Sequence, residues 1–283
     1  MSLNPLSLFR AMPGSIAQGM IWGVMALGVY ITFRLLDFAD LTVDGSIATG
    51  AAVSVMLIRA GVSPIATLPI AFLAGALAGM VTGLLNTALG IPGILASILT
   101  QISLYSINLN IMGKANQPVS VDNYPLVVSL RYVTDGSVSR LLFFLGMIVF
   151  LLALIAVMYW YFGTEQGHAI RATGCNSNMA RAQGINTNFI KVLALMISNG
   201  LVGLCGALYG QFQGASDVNM GRGAIVIGLA AVIIGEVLFG KFASKRKLAF
   251  AFTLASVILG AVIYYMVYQF VLWLKMPLSL IHI

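Results

Sequence analysis

Charged side chains are scarce in this sequence. Of its 283 residues, 8% are Asp, Glu, Lys or Arg and 60% are hydrophobic, whereas about 25% of the residues in soluble proteins are charged. Four charge-free runs are each long enough to cross a bilayer as a helix, which takes about 20 residues. These runs are Ala60–Gly113, Leu141–Thr164, Val192–Ser216 and Leu248–Leu274. The shortage of charge excludes a soluble enzyme domain and predicts an all-α, polytopic membrane protein.

Residues suited to redox, metal or nucleotide chemistry are also few. The two cysteines, Cys175 and Cys205, fall in a polar loop and in an apolar run, so no disulfide framework is predicted. Neither His168 nor His282 belongs to a cluster with the spacing of metal ligands. A Gly-x4-Gly-Lys-Ser/Thr phosphate-binding loop is missing as well. The sequence therefore predicts no catalytic residue, no metal, no cofactor and no ATP binding through a P-loop.

The hydrophobic pattern predicts a single membrane domain over residues 1–283. Eight apolar segments are the predicted spans, of which the second and seventh are short. They are Pro13–Leu36, Thr42–Ile58, Pro64–Leu89, Ile94–Met112, Leu141–Phe162, Phe189–Gln211, Gly223–Gly240 and Leu248–Leu274. Two polar connections, Gly113–Arg140 and Gly163–Asn188, are much longer than the tight turns between the other segments. We expect these two loops to contact partner proteins.

Basic residues set the predicted orientation of these spans. The formal net charge is +7, but Lys and Arg are scattered singly apart from the cluster Lys241–Lys247. This scatter is typical of membrane topology and does not indicate a nucleic-acid partner. Because short cytoplasmic loops are enriched in Lys and Arg, the cluster is predicted to lie inside. Alternation of the spans then places residues 163–188 in the cytoplasm, with residues 113–140 and the N-terminus outside.

Two short segments share a pattern. Gly45–Ala52 and Gly223–Ala230 both follow G-x-I-x-x-G-x-A, and in the predicted topology they run in opposite directions. Paired short or glycine-interrupted spans in corresponding positions are typical of inverted repeats, which surround the substrate path in many transporters. A chance match stays open, because the chain contains 30 glycines.

Small residues form stripes along two of the predicted helices. They recur at every fourth position, and they are Ala71, Gly75, Gly79 and Gly83 on one helix and Gly206, Gly210 and Gly214 on the other. Helices in lipid associate through close packing, which small side chains permit. We therefore interpret the stripes as helix contacts and not as substrate groups.

Two carboxylates fall within the predicted spans, where an uncompensated charge is costly. Asp44 opens the second span, where it could cap the N-terminus of its own helix or take part in function. Glu236 lies near the end of the seventh span and could pair with Lys241 at the membrane interface.

Uncharged polar residues are dense on the fourth span and around the sixth. They are Thr100, Gln101, Ser103, Asn108, Asn110, Asn199, Gln211 and Gln213. Such groups either line a path or bind helices to one another, and the sequence leaves both interpretations open. Gln101 and Asn108 are seven residues apart and share one helical face. The candidate substrate-path residues are Asp44, Ser46, Gln101, Asn108 and Asn199.

The loop Gly163–Asn188 contains a further local signal. Asn176 is a suitable N-cap, and Gly184 is a suitable stop for a helix. One short surface helix is therefore predicted over residues 176–183, flanked by two polar turns.

This loop resembles the cytoplasmic coupling-helix segment of ABC importer permeases of the branched-chain amino acid and ribose type. The family pattern is approximately G-x-A-x-R-A-x-G-x-N-x-x-A-A-x-x-x-G-I. The residues that meet it are Gly167, Ala169, Arg171, Ala172, Gly174, Asn176, Ala180, Gly184 and Ile185. Met179 departs from it at a position where Ala is common. The resemblance implies that the segment docks into an ATP-binding subunit, and it identifies as coupling residues Gly167, Arg171, Ala172, Gly174, Asn176, Met179, Ala180, Arg181 and Gly184.

The resemblance extends over most of the chain. Asp44–Ile47 is similar to the family's D-L-S-V-G-S segment, and Asn86–Ser97 is similar to its turn N-G-x-L-x-x-x-x-x-I-P-x-F-I-x-T. Among the family's subgroups, the chain most resembles permeases paired with binding proteins for aromatic amino acids or related compounds. Members of the family have one more span after Leu248–Leu274. The ending Leu278–Ile283 resembles a foreign, adapter-derived tail, so a ninth span is expected to be missing, with a genuine short variant as the alternative.

The resemblance implies a permease of a bacterial inner-membrane ABC importer for a small solute such as an amino acid. Its implied partners are an ATP-binding subunit, an external solute-binding protein and a second copy of the permease in the lipid bilayer. An ion-coupled secondary carrier is the alternative. The few intramembrane charges argue against that carrier, because proton and sodium carriers generally use them.

Overall fold

A computed structural model describes residues 5–120, 122–134, 137–243 and 248–274 of the chain. The described residues are almost entirely helical. In chain order the elements are α1 (Pro5–Val29), a π-helix (Tyr30–Leu35), α2 (Thr42–Arg59), α3 (Pro64–Thr87), α4 (Gly93–Met112), β1 (Asn116–Pro118), α5 (Leu130–Thr134), α6 (Ser137–Phe162), α7 (Glu165–Cys175), α8 (Ser177–Ala182), α9 (Thr187–Gln213), β2 (Ala215–Asp217), α10 (Ala224–Ala243) and α11 (Ala249–Trp273).

All eight predicted apolar segments are helices, which confirms the all-α polytopic membrane fold. Among the described residues, six helices are long and apolar enough to cross a membrane, and α1 does so together with the π-helix. The two predicted short spans correspond to α2 and α10. Helix α10 contains a shorter apolar stretch, Ala224–Gly240, and α2 carries Asp44 and Arg59 near its ends.

Helix α9 lies at the centre of the bundle, with most of its side chains buried. The glycine stripes pack against it or lie on it. A Cβ on Gly79 of α3 would collide with the carbonyl oxygen of Leu195, and one on Gly206 of α9 would collide with the carbonyl oxygen of Ile47 on α2. The structure therefore confirms the stripes as helix contacts, since only a glycine leaves room for this backbone approach, except at Gly214, which ends α9 with a φ of +71°.

Different segments of the chain lie at the two ends of the bundle. At one end, Phe9 and Arg10 of α1 line a cavity together with Thr134 and Arg140. Strands β1 and β2 pair as an antiparallel two-stranded sheet after α4 and α9. Residues 163–188 are at the opposite end, against the π-helix that ends the first span. This matches the predicted arrangement, in which the N-terminus and residues 113–140 share a side and residues 163–188 lie on the other.

Helix α1 runs antiparallel to α9. The Ser198 hydroxyl donates to the carbonyl of Gly28 at 2.8 Å, and the Cys205 thiol donates to the carbonyl of Ile21 at 3.3 Å. Residue numbers thus rise along α9 as they fall along α1, which gives a reference direction for the two short helices.

Helices α2 and α10 point in opposite directions. Ser46 and Ser54 of α2 bond with Asn199 and Gln211 of α9, so α2 runs parallel to α9. Helix α10 follows α1 instead, because Gly228 packs against Val29 and Glu236 pairs with Arg34 of the π-helix at 3.0 Å. The G-x-I-x-x-G-x-A segments open these two helices, as the inverted-repeat interpretation requires.

Glu236 forms an ion pair with Arg34, whereas the side chain of Lys241, its predicted partner, lies outside the part of the chain that the structure describes. Folding brings the π-helix alongside α10, and this proximity cannot be inferred from sequence spacing.

Some predictions fall on residues outside the described ranges. These are the placement of Lys245–Lys247, the nature of the tail Leu278–Ile283 and the expected absence of a ninth span beyond α11.

Candidate functional site

A cavity of about 330 Å³ opens beside the start of α2 and the segment that leads into α10. Its walls come from α2, α4 and the connection between β2 and α10. The lining residues are Asp44, Gly45, Ala48, Gln101, Ile102, Tyr105, Ser106, Asn108, Val218, Asn219 and Arg222. Three of the five predicted path residues, Asp44, Gln101 and Asn108, therefore meet in one place.

Asp44 joins the two short helices at their N-termini. Its carboxylate accepts hydrogen bonds from the backbone N–H groups of Gly223 at 3.0 Å and Ile225 at 2.9 Å. It therefore caps α10, whose N-terminus carries partial positive charge, and not α2 as one of the two interpretations of the sequence predicted. The connection from β2 packs closely here, since a Cβ on Gly221 would collide with the carbonyl oxygen of Asp44.

Asn108 lies in the wall of the cavity with an unsatisfied side chain. It is 1% exposed, and neither its amide oxygen nor its amide nitrogen has a hydrogen-bond partner among the described residues. A buried amide without partners costs about 1–3 kcal/mol. Gln101 lines the same cavity from α4 and is half-buried.

Ser46 and Asn199 do not line this cavity. The Ser46 hydroxyl donates to the Asn199 amide oxygen at 2.6 Å. The Asn199 amide nitrogen donates to the carboxylate of Asp40 at 2.7 Å and to the carbonyl of Leu195. The structure places both residues in a buried network that ties α2 to α9.

The other polar residues of α4 and α9 can also be sorted by their hydrogen-bond partners. Gln211 donates to the Pro64 carbonyl and the Ser54 hydroxyl, and it accepts from the backbone of Val127. Thr100 and Ser103 donate to carbonyls of their own helix. Binding helices together is therefore the structural role of Asn199 and Gln211, whereas Gln101 and Asn108 belong to the cavity.

Sequence reasoning missed four residues of this region. Arg222, Asn219 and Tyr105 line the cavity, and Asp40 is 2% exposed in the network with Asn199. Asp40 could have been found from its spacing of four residues before Asp44 in a polar turn. No local pattern distinguishes Arg222 from the other singly scattered basic residues.

At the opposite end, residues 163–188 form two helices where one was predicted. Helix α8 follows the prediction, because the Asn176 side chain accepts from the backbone N–H of Met179 at 3.0 Å and Gly184 has a φ of +84°. Helix α7, however, occupies residues that were expected to be a polar turn. Thr164 caps its N-terminus by accepting from the N–H of Gly167, a side-chain cap that the analysis of the sequence overlooked.

Two glycines fix α7 to the bundle. A Cβ on Gly167 would collide with Phe162 at the end of α6, and a Cβ on Gly174 would collide with the carbonyl oxygen of Leu35 in the π-helix. π-Helical turns are rare and occur frequently at functional sites. Helix α7 is thus in direct backbone contact with the segment that leads to Asp40 and Asp44.

The predicted coupling residues differ in exposure. Ala172, Asn176, Met179, Arg181 and Gly184 are exposed, and Ala180 is buried.

Arg171 is turned toward the bundle. Its guanidinium carbon lies 4.1 Å from the ring centroid of Phe250 and 5.7 Å from that of Phe162.

Comparison with known proteins points to one family. Residues 12–282 match the family described as the permease component of the branched-chain amino acid transport system. The tyrosine transport system permease protein of Clostridioides difficile (strain R20291) is 39% identical over 266 residues, which cover 94% of this chain and 83% of that protein. The inner membrane ABC transporter permease protein YjfF of Escherichia coli (strain K12) is 27% identical over 218 residues, 76% of this chain and 64% of that protein.

A third relative is the autoinducer 2 import system permease protein LsrC of Yersinia pseudotuberculosis (serotype O:3, strain YPIII). It is 29% identical over 218 residues, which cover 76% of this chain and 58% of that protein. No solved structure matches the chain.

These findings decide between an importer permease and an ion-coupled carrier, which the sequence alone left open. The matched family spans nearly the whole chain, and the relatives above are all permease components. Family membership implies an ATP-binding partner and a solute-binding partner. The chain is therefore a multi-pass protein of the inner membrane that belongs to the branched-chain amino acid transport system permease family, and it is the permease of an ATP-binding-cassette importer.

Proposed function

We propose that this permease carries an amino acid with an aromatic side chain through the cavity where α2 and α10 begin. The meeting of the two helix N-termini at Asp44 is the observation that carries the proposal. Transporters build solute sites from discontinuous helices whose N-termini converge within the membrane. The relative named for tyrosine transport supplies the solute class.

The chemistry of the cavity suits a zwitterion. Asp44 offers a carboxylate to an ammonium group, and Arg222 offers a guanidinium to a carboxylate. Neither of the two ion pairs found among the described residues joins them. Tyr105, which is 45% exposed, adds an aromatic surface for an apolar side chain. The unsatisfied amide of Asn108 supplies a further hydrogen-bonding group when the wall moves.

A second copy of the permease completes the path. In the single chain the cavity opens beside the exposed face of α4, which carries apolar side chains such as Ile102 and Ile107. An apolar face beside an open polar cavity suits contact with another helical surface better than contact with lipid alone. The homodimer therefore encloses the solute between two such faces.

Coupling to ATP hydrolysis takes place at residues 163–188, which lie in the cytoplasm. The exposed side chains Asn176, Met179 and Arg181 contact the ATP-binding subunit. Gly167 and Gly174 transmit its movement, because their backbone contacts leave no compressible side chain between α7 and the bundle. This chain acts as the transport subunit, and hydrolysis belongs to its partner.

Uptake measurements test the solute class and the energy source together. Cells that express the permease with its ATP-binding and solute-binding partners should accumulate labelled tyrosine, and unlabelled tyramine, which lacks the carboxylate, should not compete. An Arg222→Gln variant should lose uptake, whereas Arg10→Gln, remote from the cavity, should retain it. Uptake that persists without the ATP-binding subunit and stops with an ionophore would contradict the proposal.

Labelling of single cysteines tests the orientation. In a chain without Cys175 and Cys205, Ser120→Cys should react with a membrane-impermeant thiol reagent on intact cells, and Ser177→Cys should not. The reverse pattern would put α8 outside, where no ATP-binding subunit could reach it.

A further inference from the structure

A second cavity, of about 500 Å³, lies at the coupling end of the bundle and outside the solute path. It is formed by the end of α6, the first half of α7 and the beginning of α11. The lining residues are Tyr159, Trp160, Phe162, Gly163, Thr164, His168, Arg171, Ala249 and Phe250.

Arg171 is the charged group of this cavity. Its guanidinium lies over the face of Phe250, and Phe250 in turn packs edge-on against Phe162 with ring centroids 5.4 Å apart. The Arg171 Nε atom is buried and has no hydrogen-bond partner among the described residues. A cation held partly out of water and unpaired with an anion is costly.

The polar groups around Arg171 are suited to an anion. None of the lining residues is acidic. His168 Nδ1 lies 2.8 Å from the carbonyl oxygen of Thr164. This contact holds the imidazole of His168 in the same cavity as the guanidinium. Charged hydrogen bonds from Arg to phosphate oxygens are among the strong ones in proteins.

The surroundings of the cavity favour a lipid as the source of that anion. Trp160 is 70% exposed and Tyr159 is 40% exposed at the end of α6, which is where Trp and Tyr side chains mark the membrane interface. Nearer the middle of α6, the helix has an exposed apolar face that includes Leu145, Val149 and Leu152. Acyl chains can lie along this face while a headgroup enters the cavity.

We propose that this cavity binds the phosphate headgroup of an anionic phospholipid such as phosphatidylglycerol, through Arg171. The bound lipid lies between α6, α7 and α11 and neutralises Arg171. Basic pockets between transmembrane helices bind anionic headgroups in this way. The lipid thereby stabilises the position of α7, and it is a structural ligand distinct from the transported solute.

Native mass spectrometry of the full chain in phosphatidylcholine nanodiscs doped with phosphatidylglycerol tests the proposal. The wild type should retain phosphatidylglycerol in preference to phosphatidylcholine. Arg171→Gln should lower the affinity for phosphatidylglycerol about tenfold, equivalent to about 1.4 kcal/mol. Ala249→Trp, which fills the cavity and keeps Arg171, should lower it as well. Arg181→Gln, the exposed arginine of α8, is the matched control and should bind as the wild type does.

Three results would overturn the proposal. The first is equal retention of phosphatidylglycerol by wild type and Arg171→Gln, both checked for folding by their thermal unfolding. The second is displacement of the lipid by an equal concentration of inorganic phosphate, which would identify a site for free phosphate. The third is loss of co-purification with the ATP-binding subunit in Arg171→Gln while lipid retention is unchanged, which would assign the guanidinium to the protein partner.

Discussion

Two buried amides, Asn199 of α9 and Asn108 of α4, have the same chemistry and opposite surroundings. Asn199 is fully buried in α9, and both ends of its amide are hydrogen-bonded to other elements. Asn108 is equally buried in α4, yet its amide has no partner among the described residues. A satisfied buried amide holds helices together, whereas an unsatisfied one lowers stability and is retained for another reason. The comparison separates the central scaffold from the wall of the cavity that we propose as the solute path.

Asn199→Leu should cause the largest loss of stability among the substitutions that test this comparison. It removes the donor to the buried carboxylate of Asp40 and the acceptor of Ser46. The Asp40 carboxylate then keeps the hydrogen bond from the backbone N–H of Thr42, and losing the other two bonds of the network should cost about 3 kcal/mol of unfolding free energy. Thermal unfolding of the purified chain in detergent measures the effect. A variant as stable as the wild type would show that this network contributes nothing to helix packing.

Gln211→Leu should have a smaller effect of the same kind. Its amide links α9 to α2, to the start of α3 and to the backbone of Val127, but all of these partners are neutral. Leaving neutral buried groups unsatisfied costs about 1–3 kcal/mol. The same unfolding experiment should therefore rank Gln211→Leu between Asn199→Leu and the wild type. If Gln211→Leu destabilised the protein more than Asn199→Leu does, the larger cost expected from the buried carboxylate of Asp40 would be wrong.

Asp44→Ala tests the junction between the two short helices. It removes the cap of α10, which should cost about 1 kcal/mol. Because the carboxylate also lines the cavity, uptake of tyrosine should fall by far more than the loss of folded protein explains. Asp44→Asn is the matched control, because it removes the charge while its amide oxygen can still accept the capping hydrogen bond. If Asp44→Asn transports as the wild type does, the carboxylate is a cap and has no role toward the solute.

Asn108→Leu should have the smallest effect on stability and still abolish most transport. Leucine is similar in size and removes an amide that the described structure leaves unsatisfied, so the unfolding temperature should stay the same or rise. Uptake should nevertheless fall, because the solute loses a hydrogen-bonding group. The opposite pattern, with lower stability and unchanged uptake, would place Asn108 with Asn199 in the scaffold.

The positions of the helices could be predicted well from the sequence. Charge-free runs of about 20 residues have few alternatives to membrane helices, because the backbone must satisfy its own hydrogen bonds in lipid. The glycine stripes were predictable for a similar reason, since small residues at every fourth position can serve a close helix contact. The cap at Asn176 and the stop at Gly184 predicted α8, although the helical state of Glu165–Cys175 was missed.

The candidate site was predicted only in part. Gln101 and Asn108 could be paired because they share one face of a helix, and they do line one cavity. Ser46 and Asn199 have the same side-chain chemistry but face the interior of the bundle instead. Which direction a polar residue faces depends on how its helix is rotated against its neighbours, and rotation is set by packing across the whole bundle.

What the sequence by itself determined is the class of the protein, its helices and their contact stripes, since composition and periodicity act locally along the chain. Tertiary structure alone decided that Asp44 caps a helix 179 residues away in the chain, that Glu236 pairs with Arg34, and that Asn108 finds no partner among the residues that the structure describes. Each of these depends on two distant segments meeting in space. Hydrogen bonds and ion pairs act over a few ångströms, so the partner of a polar group is fixed only when the bundle has assembled.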